Sequence, residues 1–348
     1  MTSPIGSLSA LSERAGGLIA PAIDIYLTYR CSLRCRHCFV GERLESSRDF
    51  DGDLLTLLIN SCAAWSTREV TFLGGEPTLY PGILGAIEEV QDRGMRARIV
   101  TNGLAGLRRL IPQLPRGNQL SVGFSIDGSS PEIHDHVRGR GKFAQMLENI
   151  KACKHRGLEI FGVTSISRQN SANVHEIVSL SRELELEYLN LHYVVPVGFA
   201  DSSLRLPIGE WRDILFRVRQ EAERLGVAVR AEELIEEDLE EDDDPCAVRN
   251  EDNLMFLPDG RVFRCPLFLD QPDAHSYLWT RTGLSPNRSD SAESAICRRM
   301  PSARCPALAL IDPGLSSAGG SNGMHVGCVL KKTSYGKPST DRANLGLS

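Results

Sequence analysis

Apolar and polar residues follow two different periods along the first two thirds of the chain. Short apolar runs predict strands at residues 23–27, 69–73, 96–100, 120–126, 159–166 and 188–193. Longer amphipathic runs predict helices at residues 54–65, 83–93, 104–114, 143–155, 174–184 and 211–225. Strands that are regularly separated by helices predict an α/β fold with a parallel sheet wrapped by helices. We count about six βα units, fewer than the eight of a closed barrel.

The pattern changes after about residue 230. Residues 232–244 are strongly acidic and predict a solvated linker, with a docking surface for a basic peptide as the alternative. Beyond them, Pro258-Asp259-Gly260 between two short apolar runs predicts a hairpin. The predicted domains are a loose lead-in (1–20), a core (21–230), an acidic linker (231–245), a small C-terminal domain (246–330) and a tail (331–348).

The composition is that of an ordinary globular protein, with 41% hydrophobic and 24% charged residues. The net charge of −6 argues against a general nucleic-acid binder, which would carry a basic stripe. The N-terminal region lacks a basic start followed by an apolar run, so neither a signal peptide nor a membrane span is predicted. We therefore expect a cytoplasmic protein. Ten cysteines in such a chain indicate metal or redox chemistry, because the cytosol is reducing.

Three of the ten cysteines stand close together after the first predicted strand. Cys31, Cys35 and Cys38 form the pattern Cys-x3-Cys-x2-Cys. Thiolates hold iron–sulfur clusters, usually four to a cluster, so a set of three leaves one iron open for a ligand that is not protein. The alternative is a zinc site completed by a distant Cys or His, although zinc ribbons pair two Cys-x2-Cys motifs and this chain has one. The spacing favours an iron–sulfur cluster.

Distinctive loops also end the later strands, where the active site of a βα barrel lies. These loops are Gly74-Gly75-Glu76-Pro77, Thr101-Asn102-Gly103, Ser125-Ile126-Asp127-Gly128, Ser165 to Ser167, and Val194-Val195-Pro196. Adjacent glycines suit main-chain recognition of a small polar group, but they also make plain turns. Ser125 and Asp127 can hydrogen-bond ribose hydroxyls or an ammonium group, although Asp-Gly is a common turn pair. Arg138 can hold a carboxylate, although a lone arginine is more often a surface charge.

The cysteine pattern, with His37 before its last cysteine and Gly-Gly-Glu-Pro after the next strand, resembles the radical S-adenosylmethionine (radical SAM) superfamily. With Thr-Asn-Gly and Ser-Ile-Asp-Gly, the resemblance covers roughly residues 20–200 and implies a partial (β/α)6 barrel. It implies that the three thiolates hold a [4Fe–4S] cluster whose open iron is chelated by S-adenosylmethionine. The implied cofactor-binding residues are Gly74, Gly75, Glu76, Pro77, Asn102, Ser125, Asp127, Arg138 and Val195. One electron from the reduced cluster would cleave the sulfonium to a 5′-deoxyadenosyl radical, which abstracts hydrogen from substrate.

The C-terminal cysteines carry a second resemblance. Cys246-x13-Gly260-x4-Cys265 is similar to the opening half of the auxiliary-cluster domains called SPASM and twitch. Cys297, Cys305 and Cys328 follow, but the dense later run of a full SPASM pattern is missing. We expect a twitch-like or truncated SPASM domain with one auxiliary cluster, able to accept an electron from a substrate radical. The remaining two cysteines, Cys62 and Cys153, are predicted to be buried apolar thiols on helices.

The expected activity is oxidative modification of a ribosomally made peptide, with flavodoxin or ferredoxin as external electron donor. A dehydrogenase or rearrangement enzyme acting on a small sugar-like or cyclitol-like metabolite is the main alternative. A radical epimerase would need a cysteine as hydrogen donor, and the spare thiol could serve. A nonenzymatic iron–sulfur or zinc sensor would explain the cysteines but not the Gly-Gly-Glu-Pro loop. The sequence indicates no catalytic acid or base, no nucleic-acid partner and no membrane partner.

Overall fold

The computed structural model describes residues 20–232, 253–271, 273–293 and 332–335. Two compact units divide the chain. The first unit is formed by Met1–Cys31, Glu42–Ile99 and Leu239–Gly320, and the second by Ser32–Gly41, Val100–Asp238 and Ser321–Ser348, in so far as these segments are described. No helix in the described ranges is long and apolar enough to cross a membrane.

The first unit is built around parallel strands. Its elements are β1 (Ala22–Thr28), α1 (Gly52–Cys62), β2 (Glu69–Gly74), α2 (Ile83–Asp92), β3 (Arg96–Thr101), β8 (Asn253–Phe256), β9 (Arg261–Phe263), β10 (Tyr277–Thr280) and β11 (Gly283–Pro286). The strand order is β11-β10-β9-β8-β1-β2-β3. Strands β1, β2 and β3 are parallel, with Ala22 opposite Glu69 and Glu69 opposite Arg96. The side chains of β3 alternate between buried and partly exposed positions, whereas β1 alternates at its start and is buried throughout its second half.

The second unit continues the alternation of strands and helices. Its elements are α3 (Ala105–Leu110), β4 (Leu120–Ser125), α4 (Pro131–Arg138), α5 (Lys142–His155), β5 (Glu159–Ile166), α6 (Val174–Glu183), β6 (Leu189–Tyr193), α7 (Ile208–Leu225), β7 (Val229–Glu232) and β12 (Lys332–Tyr335). The strand order is β4-β5-β6-β7-β12, parallel from β4 to β7, with β12 antiparallel to β7. The prediction of an α/β fold with a parallel sheet is therefore confirmed.

The hairpin predicted at Pro258-Asp259-Gly260 is also present, and it joins the sheet of the first unit. Strand β8 lies parallel to β1, with Asn253 opposite Ala22, and β9 returns antiparallel to β8. Strand β10 places Trp279 against the rings of Trp65 and Phe256 at centroid distances of 5.9 Å each. The Trp279 indole Nε1 donates to the carbonyl oxygen of Leu54 at 3.0 Å. Aromatic packing thus holds β8 and β10 against the first βα unit.

Most predicted elements have the expected type, and the differences have local causes. The helix expected at residues 104–114 ends at Leu110, because Pro112 has no N–H with which to continue the helical hydrogen bonds. Helix α4 was not predicted, although Pro131 at its first position is a helix-start signal. Strands β10 and β11 were also missed, because they contain few β-branched residues.

Candidate functional site

The second unit holds two of the three clustered cysteines in a tight turn. The Cys38 N–H donates to the carbonyl oxygen of Cys35 at 3.0 Å. The Phe199 N–H, from the loop after β6, donates to the carbonyl oxygen of Cys38 at 2.9 Å. Gly198 adopts a left-handed φ of +71°, and a Cβ there would lie 2.6 Å from the carbonyl oxygen of Phe39. Glycine is therefore required where this loop meets the cysteine turn.

A buried carboxylate, that of Asp127, lies at the end of β4 and joins several elements. Its Oδ2 accepts from Arg138 Nε at 2.5 Å and lies 3.3 Å from His37 Nε2. Its Oδ1 accepts from the Ser165 N–H at 2.9 Å. Its main-chain oxygen accepts from Asn170 Nδ2 at 3.0 Å. Asp127 is 0% exposed, so all of its polar groups depend on these partners rather than on water.

The charges around Asp127 keep its carboxylate ionised. Burial alone would raise the pKa of Asp127, but Arg138 and His37 outweigh burial and hold that pKa below its usual value. Burial would likewise lower the pKa of Arg138, and Asp127 raises it instead. Burial lowers the pKa of His37, and Arg138 adds to that effect while Asp127 opposes it. The guanidinium of Arg138 is therefore a permanent cation held beside a permanent anion.

Asp127 orients the Arg138 guanidinium but occupies only part of its hydrogen-bonding capacity. Its Nε donates to the Asp127 carboxylate, whereas its two Nη atoms make no hydrogen bond to any residue in the described part of the chain. The side chain is 11% exposed. The thiols of Cys35 and Cys38 are close enough to Arg138 to raise its pKa. A guanidinium fixed in this way can present its outer N–H groups to a carboxylate.

Arg138 is the last residue of helix α4, and packing around the start of this helix helps to fix its position. Gly128 leads into the helix, and a Cβ on it would lie 2.9 Å from the carbonyl carbon of Ile133. His134 Nδ1 accepts from the Asp127 N–H at 3.3 Å, and its ring packs against Phe143 at a centroid distance of 5.5 Å. Burial lowers the pKa of His134 to about 4, with Arg138 as the next cause. A neutral His134 is therefore part of the packing at physiological pH.

The first unit places the Gly-Gly-Glu-Pro loop against the end of β1. The Gly75 N–H donates to the carbonyl oxygen of Thr28 at 2.7 Å, and the Glu76 N–H donates to that of Arg30 at 2.8 Å. A Cβ on Gly75 would lie 2.5 Å from the Arg30 carbonyl oxygen. Gly74 has a φ of +145°. Both glycines are therefore needed for this close backbone approach, beside the residue that precedes Cys31.

Glu76 is buried within this loop and has a fixed orientation. Its carboxylate accepts from the Thr78 hydroxyl at 2.6 Å and from the Thr78 N–H at 3.2 Å. It is 2% exposed. On the other side of the β1 end, Arg30 and Thr28 both contact Asp49 Oδ1, at 3.0 Å and 2.6 Å. A rigid frame therefore surrounds the start of the cysteine segment in this unit.

The clustered thiols have the chemistry of cluster ligands. Burial raises the pKa of Cys35, while Arg138 lowers it in part. Cys38 is close enough to Cys35 to contribute to the raised pKa of Cys35, an effect that a shared metal centre would relieve. Within the residues that the structure describes, no three His, Cys, Asp or Glu side chains converge as a metal site. The donor set nevertheless fits an iron–sulfur cluster, since soft thiolates select iron–sulfur and zinc centres.

The other predicted site residues lie at strand ends. Asn102 is buried in the turn after β3, where its Oδ1 accepts from the Leu104 N–H at 3.1 Å. Ser125 ends β4 and is 8% exposed. The carbonyl oxygen of Val195, after β6, accepts from the Val197 N–H at 2.8 Å. All three residues belong to the second unit.

Of the C-terminal cysteines, Cys265 lies within the described ranges and is buried. The carboxylate of Glu293 accepts from the Cys265 N–H at 3.0 Å and from the Arg264 N–H at 2.5 Å. The other predicted ligands, and most of the acidic segment 231–245, lie outside the described residues; these ligands are Cys246, Cys297, Cys305 and Cys328. Cys62 and Cys153 are 0% exposed on helices, which confirms their prediction as buried thiols.

Sequence reasoning overlooked several residues that build the site. Asp49, His134 and Asn170 hold its frame, and Glu293 holds the Cys265 turn. His134 lies in a helix-start segment and could have been found through Pro131. The contacts of Asn170 with Asp127 and of Glu293 with Cys265 carry no local signal, because these partners lie 43 and 28 positions away in sequence.

Comparison with known proteins adds independent findings. Residues 25–180 match the family model described as "Radical SAM superfamily". The chain is 32% identical over 190 residues to the mycofactocin maturase MftC of Mycobacterium tuberculosis, which covers 52% of this chain and 46% of that protein. It is 28% identical over 180 residues to the Fe-coproporphyrin III synthase of Methanosarcina barkeri, which covers 51% of this chain and 45% of that protein. The chain thus spans about half the length of these curated relatives.

A solved structure shares the fold. The chain is similar to Streptococcus suis SuiB bound to the precursor peptide SuiA, with a TM-score of 0.66 and 14% sequence identity. The alignment covers 92% of this chain and 73% of that one. At this identity the similarity shows the fold alone.

Proposed function

We propose that this chain is a radical SAM enzyme that cleaves S-adenosylmethionine reductively and abstracts hydrogen from its substrate, since residues 25–180 match the model of that superfamily. Radical SAM proteins bind a [4Fe–4S] cluster and S-adenosylmethionine. The observation that carries the proposal is the arrangement around Cys35 and Cys38. There a hydrogen-bonded thiol turn lies beside an arginine whose Nε is fixed by a buried carboxylate and whose Nη atoms have no hydrogen-bond partner in the described part of the chain.

In this proposal Cys31, Cys35 and Cys38 hold the cluster, which supplies the electron when it is bound and reduced. Arg138 presents its Nη groups to the carboxylate of the methionine moiety. Glu76, buried and oriented by Thr78, accepts from the methionine ammonium group, and the close-packed glycines before it keep the backbone near. Asn102, Ser125 and Val195 line the nucleoside side of the same rim. Burial of these groups excludes water from the reacting atoms.

We further propose that one auxiliary cluster is held by Cys265 together with cysteines outside the described residues. The support is the sequence pattern around Gly260 and the buried Cys265 turn, fixed by Glu293. An auxiliary cluster would take an electron from a substrate radical and make the overall reaction an oxidation. An external electron donor such as flavodoxin or ferredoxin is proposed for the first cluster.

The proposed substrate is a precursor peptide. The chain is similar to two maturases by sequence, MftC and the subtilosin biosynthesis protein AlbA, and to SuiB in fold. The competing substrate class is a small molecule, and a specific observation supports it as well. The Fe-coproporphyrin III synthase and a GTP 3′,8-cyclase are 28% and 31% identical to this chain over aligned segments of similar length.

A deuterium-transfer experiment separates the two classes. Cells that make this protein are grown in deuterated medium, and their extract is fractionated by size. Each fraction is incubated anaerobically with the reconstituted enzyme, unlabelled S-adenosylmethionine and dithionite, and the deuterium content of 5′-deoxyadenosine is measured. A peptide substrate predicts transfer that disappears when the fraction is first digested with a protease and the protease is removed. Transfer that survives digestion would assign a small-molecule substrate, and absence of 5′-deoxyadenosine in every fraction would contradict the proposed activity.

A further inference from the structure

His37 is the side chain that fastens the cysteine turn to the sheet of the second unit. The turn is also held by two main-chain hydrogen bonds, one within it and one from Phe199. Neither of these reaches β4. His37 Nε2, by contrast, lies 3.3 Å from Asp127 Oδ2, and the two side chains are 8% and 0% exposed. The contact therefore joins the residue before Cys38 to the segment that directly follows β4, and both side chains are buried.

The Asp127 side chain is not available to contact a ligand. It is fully buried, and both of its carboxylate oxygens have protein partners, Ser165 N–H on Oδ1 and Arg138 Nε on Oδ2. Two further contacts fix its backbone: His134 Nδ1 at its N–H and Asn170 Nδ2 at its carbonyl oxygen. Because every polar atom of Asp127 has a protein partner, its position is fixed, and it can fix the side chains that contact it.

We propose that Asp127 and His37 are positioning residues, and that Asp127 acts by fixing His37 and Arg138 instead of touching S-adenosylmethionine. This inference rests on the proposed function, and it changes the role of Asp127 from a nucleotide contact to a support. His37 sets the geometry of the Cys35–Cys38 turn, whereas Arg138 meets the ligand. Groups of this kind tune a metal centre through the orientation of its ligands.

Two substitutions at His37 separate a contact with Asp127 from a contact made by an aromatic ring. His37→Phe keeps a ring of similar size but has no N–H for Asp127. His37→Gln has no ring but keeps an N–H that can reach the carboxylate. Arg138 and Ser165 continue to pair with Asp127 in both variants, so neither leaves a buried charge alone.

The first readout needs no cluster. Amide hydrogen exchange of residues 35–38 is measured by mass spectrometry in the apoprotein. Exchange at least tenfold faster in His37→Phe than in wild type, with His37→Gln close to wild type, is the expected result. Equal exchange in all three proteins would overturn the proposal, and so would fast exchange in His37→Gln alone.

The second readout is the cluster itself, in reconstituted protein. We expect His37→Phe to change the EPR spectrum of the reduced cluster and to shift its reduction equilibrium about tenfold, which is about 59 mV for one electron. His37→Gln should remain near wild type. Asp127→Asn should shift the equilibrium at least as far as His37→Phe, because it also weakens the contact with Arg138. The double variant should shift it by less than the sum of the two single variants, because both single changes remove the contact between His37 and Asp127. Additive shifts in the double variant would contradict the proposal.

Ser125→Ala is the matched control, since Ser125 ends the same strand and is proposed to face the nucleoside. It should raise the KM for S-adenosylmethionine and leave the potential of the ligand-free cluster unchanged. The same behaviour in Asp127→Asn, a raised KM with an unchanged potential, would make Asp127 a direct ligand contact and overturn the inference. Failure of the proposed function is distinct, because it shows in the wild type as an absence of cluster iron and of 5′-deoxyadenosine.

Discussion

Gly198 lies so close to Cys38 that a Cβ at Gly198 would overlap the Cys38 carbonyl oxygen. The neighbouring Phe199 N–H donates to the same oxygen at 2.9 Å, so the backbone of the loop after β6 packs directly against the cysteine turn. Gly198 also has a φ of +71°, which side-chain-bearing residues rarely adopt. The position of Cys38 therefore depends on a glycine far from it in sequence.

We expect Gly198→Ala to displace the turn and to lower the iron bound after anaerobic reconstitution to less than half of the wild-type amount. The matched control is Gly209→Ala in α7, where an added Cβ meets nothing within 4 Å. That control should bind iron normally and be slightly more stable, since alanine favours helix over glycine by about 1 kcal/mol. Normal iron binding by Gly198→Ala would show that the turn tolerates the shift.

Glu76→Gln should weaken binding of S-adenosylmethionine on the order of ten- to a hundredfold, because a hydrogen bond to a charged group is worth about 1.5–3 kcal/mol. Thr78→Val, which removes the hydroxyl that orients Glu76, should have a smaller effect in the same direction. Equilibrium binding to the reconstituted enzyme measures both. Glu88→Gln, on the exposed side of α2, is the control and should bind as wild type does. An unchanged affinity in Glu76→Gln would remove Glu76 from the proposed site.

The low pKa of His134 predicts a loss of stability in acid. His134 has a pKa of about 4 in the folded protein because of burial and Arg138, against 6.5 for an ordinary histidine. The unfolded chain therefore binds the proton more readily. The stabilising effect of a neutral His134 is complete above pH 6.5 and is lost as the pH falls towards 4, by about 3 kcal/mol at most.

Urea unfolding at pH 7.5 and pH 5 tests this. His134→Asn keeps an acceptor for the Asp127 N–H and has no group that titrates in this range. It should be less stable than wild type at pH 7.5, because its smaller side chain leaves a cavity. Its stability should nevertheless fall less than that of wild type between the two pH values. An equal fall in both proteins would mean that His134 does not contribute to the pH dependence.

Cys62 and Cys153 should resist alkylation in the native protein. Burial raises the pKa of each thiol to about 12, and both side chains are 0% exposed. Iodoacetamide treatment of the apoprotein at pH 7.5, followed by peptide mass mapping, should label Cys38 in preference to these two. Labelling of Cys62 or Cys153 at the rate of Cys38 would show that the helices α1 and α5 open readily.

The sequence alone was sufficient to predict most strands and helices of the core and the segments that form the candidate site. Period-two and helical patterns are local, and the Gly-Gly-Glu-Pro and cysteine spacings are short. Local signals also existed for α4, where Pro131 begins the helix that carries His134 and Arg138, but they compete with equally good turn signals around Gly128.

The contacts that organise the site were not predictable in this way. The partner of His37 lies 90 positions away at Asp127, and the partner of Cys38 lies at Phe199. Such pairs are fixed by the packing of complete strands and loops, and a histidine or an aspartate alone does not indicate its partner. The pairing of Asp127 with Arg138 likewise changed the expectation that each meets the cofactor independently, since one orients the other.

The most direct test of the account is the iron and sulfide content of the anaerobically reconstituted protein, with 5′-deoxyadenosine assayed under dithionite. The wild type is compared with the triple variant Cys31→Ala, Cys35→Ala and Cys38→Ala, and with Cys62→Ala plus Cys153→Ala as the control. We predict about eight irons in the wild type and about four in the triple variant, with 5′-deoxyadenosine formed by the wild type and the control alone. A triple variant that still forms 5′-deoxyadenosine, or a wild type without iron, would contradict the central claim.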